Sequence, residues 1–178
     1  GPARVWRDQI EAPFGPVSAA DALSRFCGKP LQFVYMSDEI FRRVDPHWVP
    51  AYRRVSFADG FPLLVTNQAS LEELNSRLEQ PVDMRRFRPN IVISGARAWD
   101  EDQWTSLTIR DVPLSLVKPC SRCIMTTVDP DSGARSPDRQ PLETLAGYRR
   151  TPDGNMGGCN GVHNGTGTLS VGDSVLLS

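Results

Sequence analysis

Apolar residues along this chain fall mostly into short runs bounded by turn residues. Leu31–Tyr35, Leu63–Thr66, Ile91–Ser94, Trp104–Ile109, Val112–Leu116, Ile124–Val128 and Val175–Leu177 are runs of this kind, rich in β-branched and aromatic side chains. Each reads as a strand, because such residues suit a pleated, half-buried surface. The separators carry turn chemistry: Arg110-Asp111, Asp129-Pro130-Asp131-Ser132-Gly133 and Gly172-Asp173.

Helical spacing marks three segments. Ser18 and Asp21 form an N-terminal capping pattern, Ala22, Leu23 and Phe26 share a face, and Gly28 ends the segment, which predicts a helix over Ser18–Phe26. Ser70 and Glu73 read as a capping box, with Leu71, Leu74 and Leu78 behind them at helical spacing. A short third helix is expected from Pro141, with Leu142 and Leu145 facing inward. Thr151–Gly167 holds six glycines and almost no bulky residues, and is expected to be a loop. Many short strands and few helices predict a mainly β fold, a barrel or sandwich with helices packed outside.

Composition narrows the function. The 178 residues fit a single domain, expected over 3–178, with Gly1-Pro2 read as the remnant of a cleaved tag. Hydrophobic residues make up 39% of the chain, enough for a core. The formal net charge of -1 gives no one-signed field, so nucleic acid is a poor partner. No apolar run is long enough for a membrane span. Four cysteines are too sparse for a disulfide scaffold and suggest a reducing, cytoplasmic compartment with a chemically employed thiol.

The sharpest local feature is Lys118-Pro119-Cys120-Ser121-Arg122-Cys123. A thiolate is a soft metal ligand, and neighbouring cations favour the thiolate. One CxxC pair also fits two buried cysteines or half of a zinc knuckle. Cys27, Cys159, His47 and His163 lack the spacing to complete a zinc site. Arg86-Phe87-Arg88-Pro89-Asn90 precedes a strand. Arginine suits phosphate, and Asn90 can donate and accept at a heterocycle; a solvated charge cluster is the plainer alternative. Asp59-Gly60 is a turn signal before Leu63.

Together, SFADGFPLLVTNQASLEELN, RFRPNIVISGARAWDED, VKPCSRCIMTTVDPDSG followed by PLETL, and GTLSVGDSVLL closely resemble the MOSC family. The nearest branch is that of the YcbX-like proteins and the mitochondrial amidoxime-reducing component. The resemblance covers nearly the whole chain from about Val5 and implies a distorted β-barrel with peripheral helices. It implies a molybdenum ion held by one pterin dithiolene, with Cys123 as the protein ligand. Arg88 and Asn90 match residues that hold the pterin, and Ser121 and Arg122 match contacts beside the ligand. Asp59 matches an acidic residue near the open face of the metal, placed to carry a proton. Gly60 and Phe61 fall at backbone contacts, and Asn160 near a further contact.

By the same resemblance, the activity is reduction of hydroxylamines, amidoximes and N-hydroxylated bases to amines, with electrons from a donor protein or iron–sulfur domain. The family's N-terminal domain, with its basic pterin contacts, and the cysteine pattern of an iron–sulfur domain are missing from this sequence. Cofactor binding by the chain alone is therefore expected to be weak. Near Gly157 the family carries a bulky aromatic, so the pocket wall is expected to differ here. A sulfur carrier using Cys123 without turnover, and a structural zinc module, are the competing readings.

Overall fold

Strands β1 (Pro2–Val5) and β2 (Asp8–Glu11) open the chain as an antiparallel hairpin, Pro2 facing Glu11. Its turn carries no glycine or asparagine. Trp6 adopts the left-handed conformation instead, at φ 54°, which is why the hairpin is invisible in the sequence. A computed structural model describes residues 1–177, in two compact units, Gly1–Pro62 and a second from Leu63 onward.

In the first unit, helix α1 (Val17–Cys27) stops where expected: Gly28 takes φ 65° and its N–H reaches Ser24 O. Its start differs. Pro16 is the N-cap, no side chain caps the helix, and Ala20 rather than Phe26 is buried. Leu31–Tyr35 makes only one bridge, Val34 to Phe14, in place of a strand. Two arginines organise the segments that follow. Arg42, 5% exposed, donates to Asp8 and to the carbonyls of Ser56, Ala58 and Asp59. Arg54 donates to the carbonyls of Met36, Ser37 and Ile40. Buried carbonyls need donors, and here guanidinium groups replace sheet partners.

The second unit is a mixed sheet. Its strands are β3 (Leu63–Asn67), β4 (Ile91–Ile93), β5 (Ser106–Ile109), β6 (Val112–Ser121), β7 (Arg150–Thr151), β8 (Gly154–His163) and β9 (Val175–Leu177). They run in the order β4-β3-β8-β6-β5-β9, with β7 on β8. Among the described residues only β3 and β4 pair in parallel, joined by a crossover that contains helix α2 (Gln68–Asn75). Val65, Ile93, Leu107, Ile109, Val112, Leu114, Leu116 and Cys159 form one core. Leu71, Leu74 and Phe87 form another with Leu145 of helix α3 (Leu142–Tyr148). The unit is mainly β, a barrel-like sheet with helices outside, as the apolar pattern predicts.

Three local expectations fail for definable reasons. The glycine-rich stretch is not a loop: β8 lies between β3 and β6, inside the sheet. Glycine is needed there because the backbones come close. A Cβ on Gly158, at φ +83°, would sit 2.8 Å from Val65 O, and one on Gly161 would sit 3.0 Å from Ser115 O. Ile124–Thr127 is a 3-10 turn rather than a strand. The hydroxyls of Thr126 and Thr127 bond back to the carbonyls of Cys123 and Ile124, at 3.0 and 2.7 Å. Finally, α2 is capped by Asn67, whose side chain accepts from Ala69 N–H, and the Ser70/Glu73 box does not form. Ser70 donates to buried Glu101 at 2.7 Å, and Glu73 accepts from Trp99 Nε1 and the Tyr148 hydroxyl.

Candidate functional site

β6 carries the cysteine motif to its outer end. The strand extends past the predicted Leu116 as far as Ser121, with register shifts around Lys118 and Pro119. Proline has no N–H to give the ladder, so a bulge there is the expected response. Cys123 follows the strand with extended backbone, caps the 3-10 turn and holds an exposed thiol. Thr126 N–H and Thr126 Oγ1 both bond to the Cys123 carbonyl, at 3.2 and 3.0 Å, which fixes the backbone under that thiol. Ser121 is exposed at the end of β6, and Gly154 leaves the room its hydroxyl occupies.

Arg122 turns inward. Its guanidinium donates to Phe87 O at 2.6 Å and to Cys120 Sγ at 2.9 Å. The cation beside the motif thus lies on Cys120, the first cysteine, which is half-buried. Phe87 O is the last carbonyl before Arg88, so the cysteine segment and the RFRPN segment meet here.

The arginines of that second segment divide sharply. Arg85 makes a two-armed pair with Asp131, at 2.8 and 2.9 Å. Arg86 donates to Thr127 O and to Asp129 Oδ2, both at 3.2 Å. Arg88 is exposed, stands at φ 53° as the cap of the 3-10 turn Met84–Phe87, and its side chain has no ion pair or hydrogen bond among the described residues. The Asp129-to-Gly133 turn is therefore a docking block for the two neighbouring arginines. Its electrostatics follow: the Ser132 N–H and hydroxyl hold the Asp129 carboxyl below the usual range, and the Arg85 guanidinium does the same for Asp131.

The two asparagines flank one residue of β3. Asn90 exchanges two bonds with Leu64: its Oδ1 accepts from Leu64 N–H at 2.8 Å, and its own N–H donates to Leu64 O at 2.9 Å. On the other side, Leu64 pairs with Asn160, which pairs in turn with Lys118 of β6. Asn90 thus keeps its Nδ2 donor while its acceptor serves the sheet. Asn160 is half-buried on β8.

Asp59, Gly60 and Phe61 belong to the first unit. The exposed Asp59 carboxylate accepts from Trp6 Nε1 at 3.2 Å, and its carbonyl is held by Arg42 at 2.7 Å. Nothing in the sequence singled out Arg42, because its carbonyl partners lie 14 to 17 residues away. Cys159 is buried, which pushes its thiol up to about 11 and makes it an inert core residue.

Among the described residues no group of three or more His, Cys, Asp or Glu side chains could hold a metal, so a structural zinc site has no ligand set. What the second unit offers is different: one exposed thiol, one unengaged guanidinium and a free amide donor on adjoining segments. That set fits a soft metal that arrives with its own anionic, phosphate-bearing ligand. Among the described residues, no helix is long and apolar enough to cross a membrane.

Human mitochondrial amidoxime-reducing component 1 is 46% identical over 132 residues, covering 70% of this chain and 39% of the relative. Bovine mitochondrial amidoxime reducing component 2 is 43% identical over 113 residues, 64% of this chain and 32% of the relative. The zebrafish component 1 is 38% identical over 135 residues, 72% of this chain and 41% of the relative. The chain thus spans about two fifths, or less, of the length of these relatives. The family model for the MOSC domain matches residues 52–176, which takes in Asp59 and nearly all of the second unit. Matched over more than half its length, this chain belongs to the MOSC domain family.

Proposed function

We propose that this chain is the molybdenum-cofactor-binding part of a reductase that converts hydroxylamines, amidoximes and N-hydroxylated bases to the corresponding amines. The relatives are named as amidoxime-reducing components, which supports an amidoxime-reducing activity for them. The observation that carries the reading here is the pairing of an exposed Cys123 with an unengaged Arg88, tied together through Arg122 and Phe87 O.

In this reading Cys123 supplies the thiolate, held in one place by the bonds to its carbonyl. Arg88 offers a planar fork to the pterin phosphate. Asn90 and Asn160 offer amides to the pterin ring, and the Ser121 hydroxyl lies beside the thiol segment. Asp59 carries the proton that leaves with the substrate oxygen, and Gly60 and Phe61 give backbone contacts. When bound, the molybdenum cofactor supplies the two-electron redox chemistry. Electrons come from a donor protein or an iron–sulfur domain. The rest of the protein supplies the further basic contacts. The four cysteines are free, which suits a reducing compartment, and the relatives are named as mitochondrial proteins.

The test is to purify the protein in its full length and measure molybdenum and pterin per chain, then reduction of an aryl amidoxime with an artificial electron donor. Molybdenum near one per chain and turnover, both lost on Cys123→Ala, are the expected results. A metal-free protein with a persulfide on Cys123 would refute the reductase and support a sulfur carrier.

A further inference from the structure

The family resemblance gives Arg122 a contact to the cofactor, but its side chain is engaged inside the protein. One terminal nitrogen donates to Cys120 Sγ and the other to Phe87 O. The guanidinium carbon lies 5.6 Å from the Phe87 ring centroid. Its Nε is buried and has no acceptor among the described residues. The stem of the side chain crosses Gly157, where a Cβ would come within 3.2 Å of Arg122 Cγ. The backbone N–H of Arg122 donates to Asn155 O of β8 at 2.8 Å.

Arg122 therefore links the cysteine segment, the Phe87–Arg88 turn and β8. Arg88 is the member that most needs holding. It is a non-glycine residue in the left-handed region, at φ 53°, a conformation that persists only where its surroundings impose it. The carbonyl just before it is the one Arg122 grips.

We propose that Arg122 is a positioning residue, which sets Cys123 and Arg88 in register through Cys120 and Phe87 O and does not act through its own charge on the cofactor. Gly157 is part of this device. A bulky residue there would occupy the space of the Arg122 stem. The inference rests on the proposed cofactor roles of Cys123 and Arg88 and deepens them.

Three variants of the protein test it: Arg122→Gln, Arg122→Lys, and Gly157→Leu, which displaces the stem while keeping the charge. The first measurement needs no cofactor. Each cysteine's iodoacetamide alkylation rate is read by mass spectrometry, with a melting curve to confirm folding. Read at alkaline pH, where the neighbouring cation no longer sets the thiolate fraction, Cys120 alkylation should rise several-fold in all three, because the half-buried thiol loses the side chain that covers it. Lysine should fail to rescue, because a single ammonium cannot reach both Cys120 Sγ and Phe87 O. The second measurement is cofactor affinity in a double-mutant cycle with Arg88→Ala. Positioning predicts that Arg88→Ala costs less in the Arg122→Gln background than in the unmodified protein. Unchanged Cys120 alkylation in folded variants, full rescue by lysine, or affinity losses that simply multiply would each overturn the inference. An unmodified protein that binds no cofactor would overturn the reading beneath it, and is told apart because the alkylation measurement stands by itself.

Discussion

Replacing Arg88 with glycine should move stability and cofactor affinity in opposite directions. The side chain has no partner among the described residues, so the fold loses no contact with it. Its backbone, at φ 53°, carries the left-handed penalty of an L-residue, about 1–2 kcal/mol. Glycine removes that penalty but loosens the unfolded chain, at about 0.4–1 kcal/mol. The net is a gain of roughly 0.5–1 kcal/mol, a rise in Tm of about 2–5 °C for a unit of this size. Affinity should fall. A charge-assisted contact contributes about 1.5–3 kcal/mol, so its loss weakens binding roughly tenfold to a hundredfold. Thermal melting of the cofactor-free protein gives the first number and cofactor titration gives the second. Unchanged affinity would make Arg88 a plain surface charge. A lower Tm would mean that the guanidinium has an internal role the structure does not show.

Cys123→Ala should abolish molybdenum retention, measured as metal per chain, whereas Cys120→Ala should leave part of it, since Cys120 acts by holding Arg122; equal loss in both would refute this division. Gly158→Ala should lower stability by more than about 2 kcal/mol in denaturant melts, because it combines a left-handed backbone with a Cβ 2.8 Å from Val65 O; a neutral result would mean β8 is not paired as described. Burial holds the Glu101 carboxyl above its ordinary value of 4.5, so its ionised form is the costly one. Its contribution to stability therefore grows as pH falls through the folded pKa and is complete below 4.5. Glu101→Gln should flatten that dependence in melts across pH. Glu101→Ala should lower Tm at every pH by stranding the buried Ser70 and Asn67 donors.

Much of the second unit was legible because its signals are local. Leu142 and Leu145 declare the buried face of α3, and the alternation of Val112, Leu114 and Leu116 declares β6. The stop at Gly28 was legible for the same reason. What failed was competition between equivalent local signals. Ser70 and Glu73 match a capping box, yet Asn67 lies nearer the true start and takes that role, leaving Ser70 for Glu101. Thr126 and Thr127 favour strands by propensity, but their hydroxyls can also close a tight turn, and did. β8 was hidden because its glycines answer to neighbours far away in sequence. At the site, the motif marked the cysteine and the arginine cluster. It could not tell the engaged Arg85 and Arg86 from the unengaged Arg88, since their partners Asp131 and Asp129 are 46 and 43 residues distant.

The glycines of β8 also divide labour between backbone and surface. A strand that presents almost no side chains at Gly157, Gly158 and Gly161 contributes hydrogen bonds and leaves the relief above it to others. Over Gly157 and Gly158 that relief is lent by Arg122, Phe87, Leu64 and Thr66. Those lenders are themselves held, Arg122 by its bonds to Cys120 Sγ and Phe87 O, and Phe87 and Thr66 by burial. The wall over β8 is therefore fixed from both sides, by the glycines that admit it and by the engaged residues that form it.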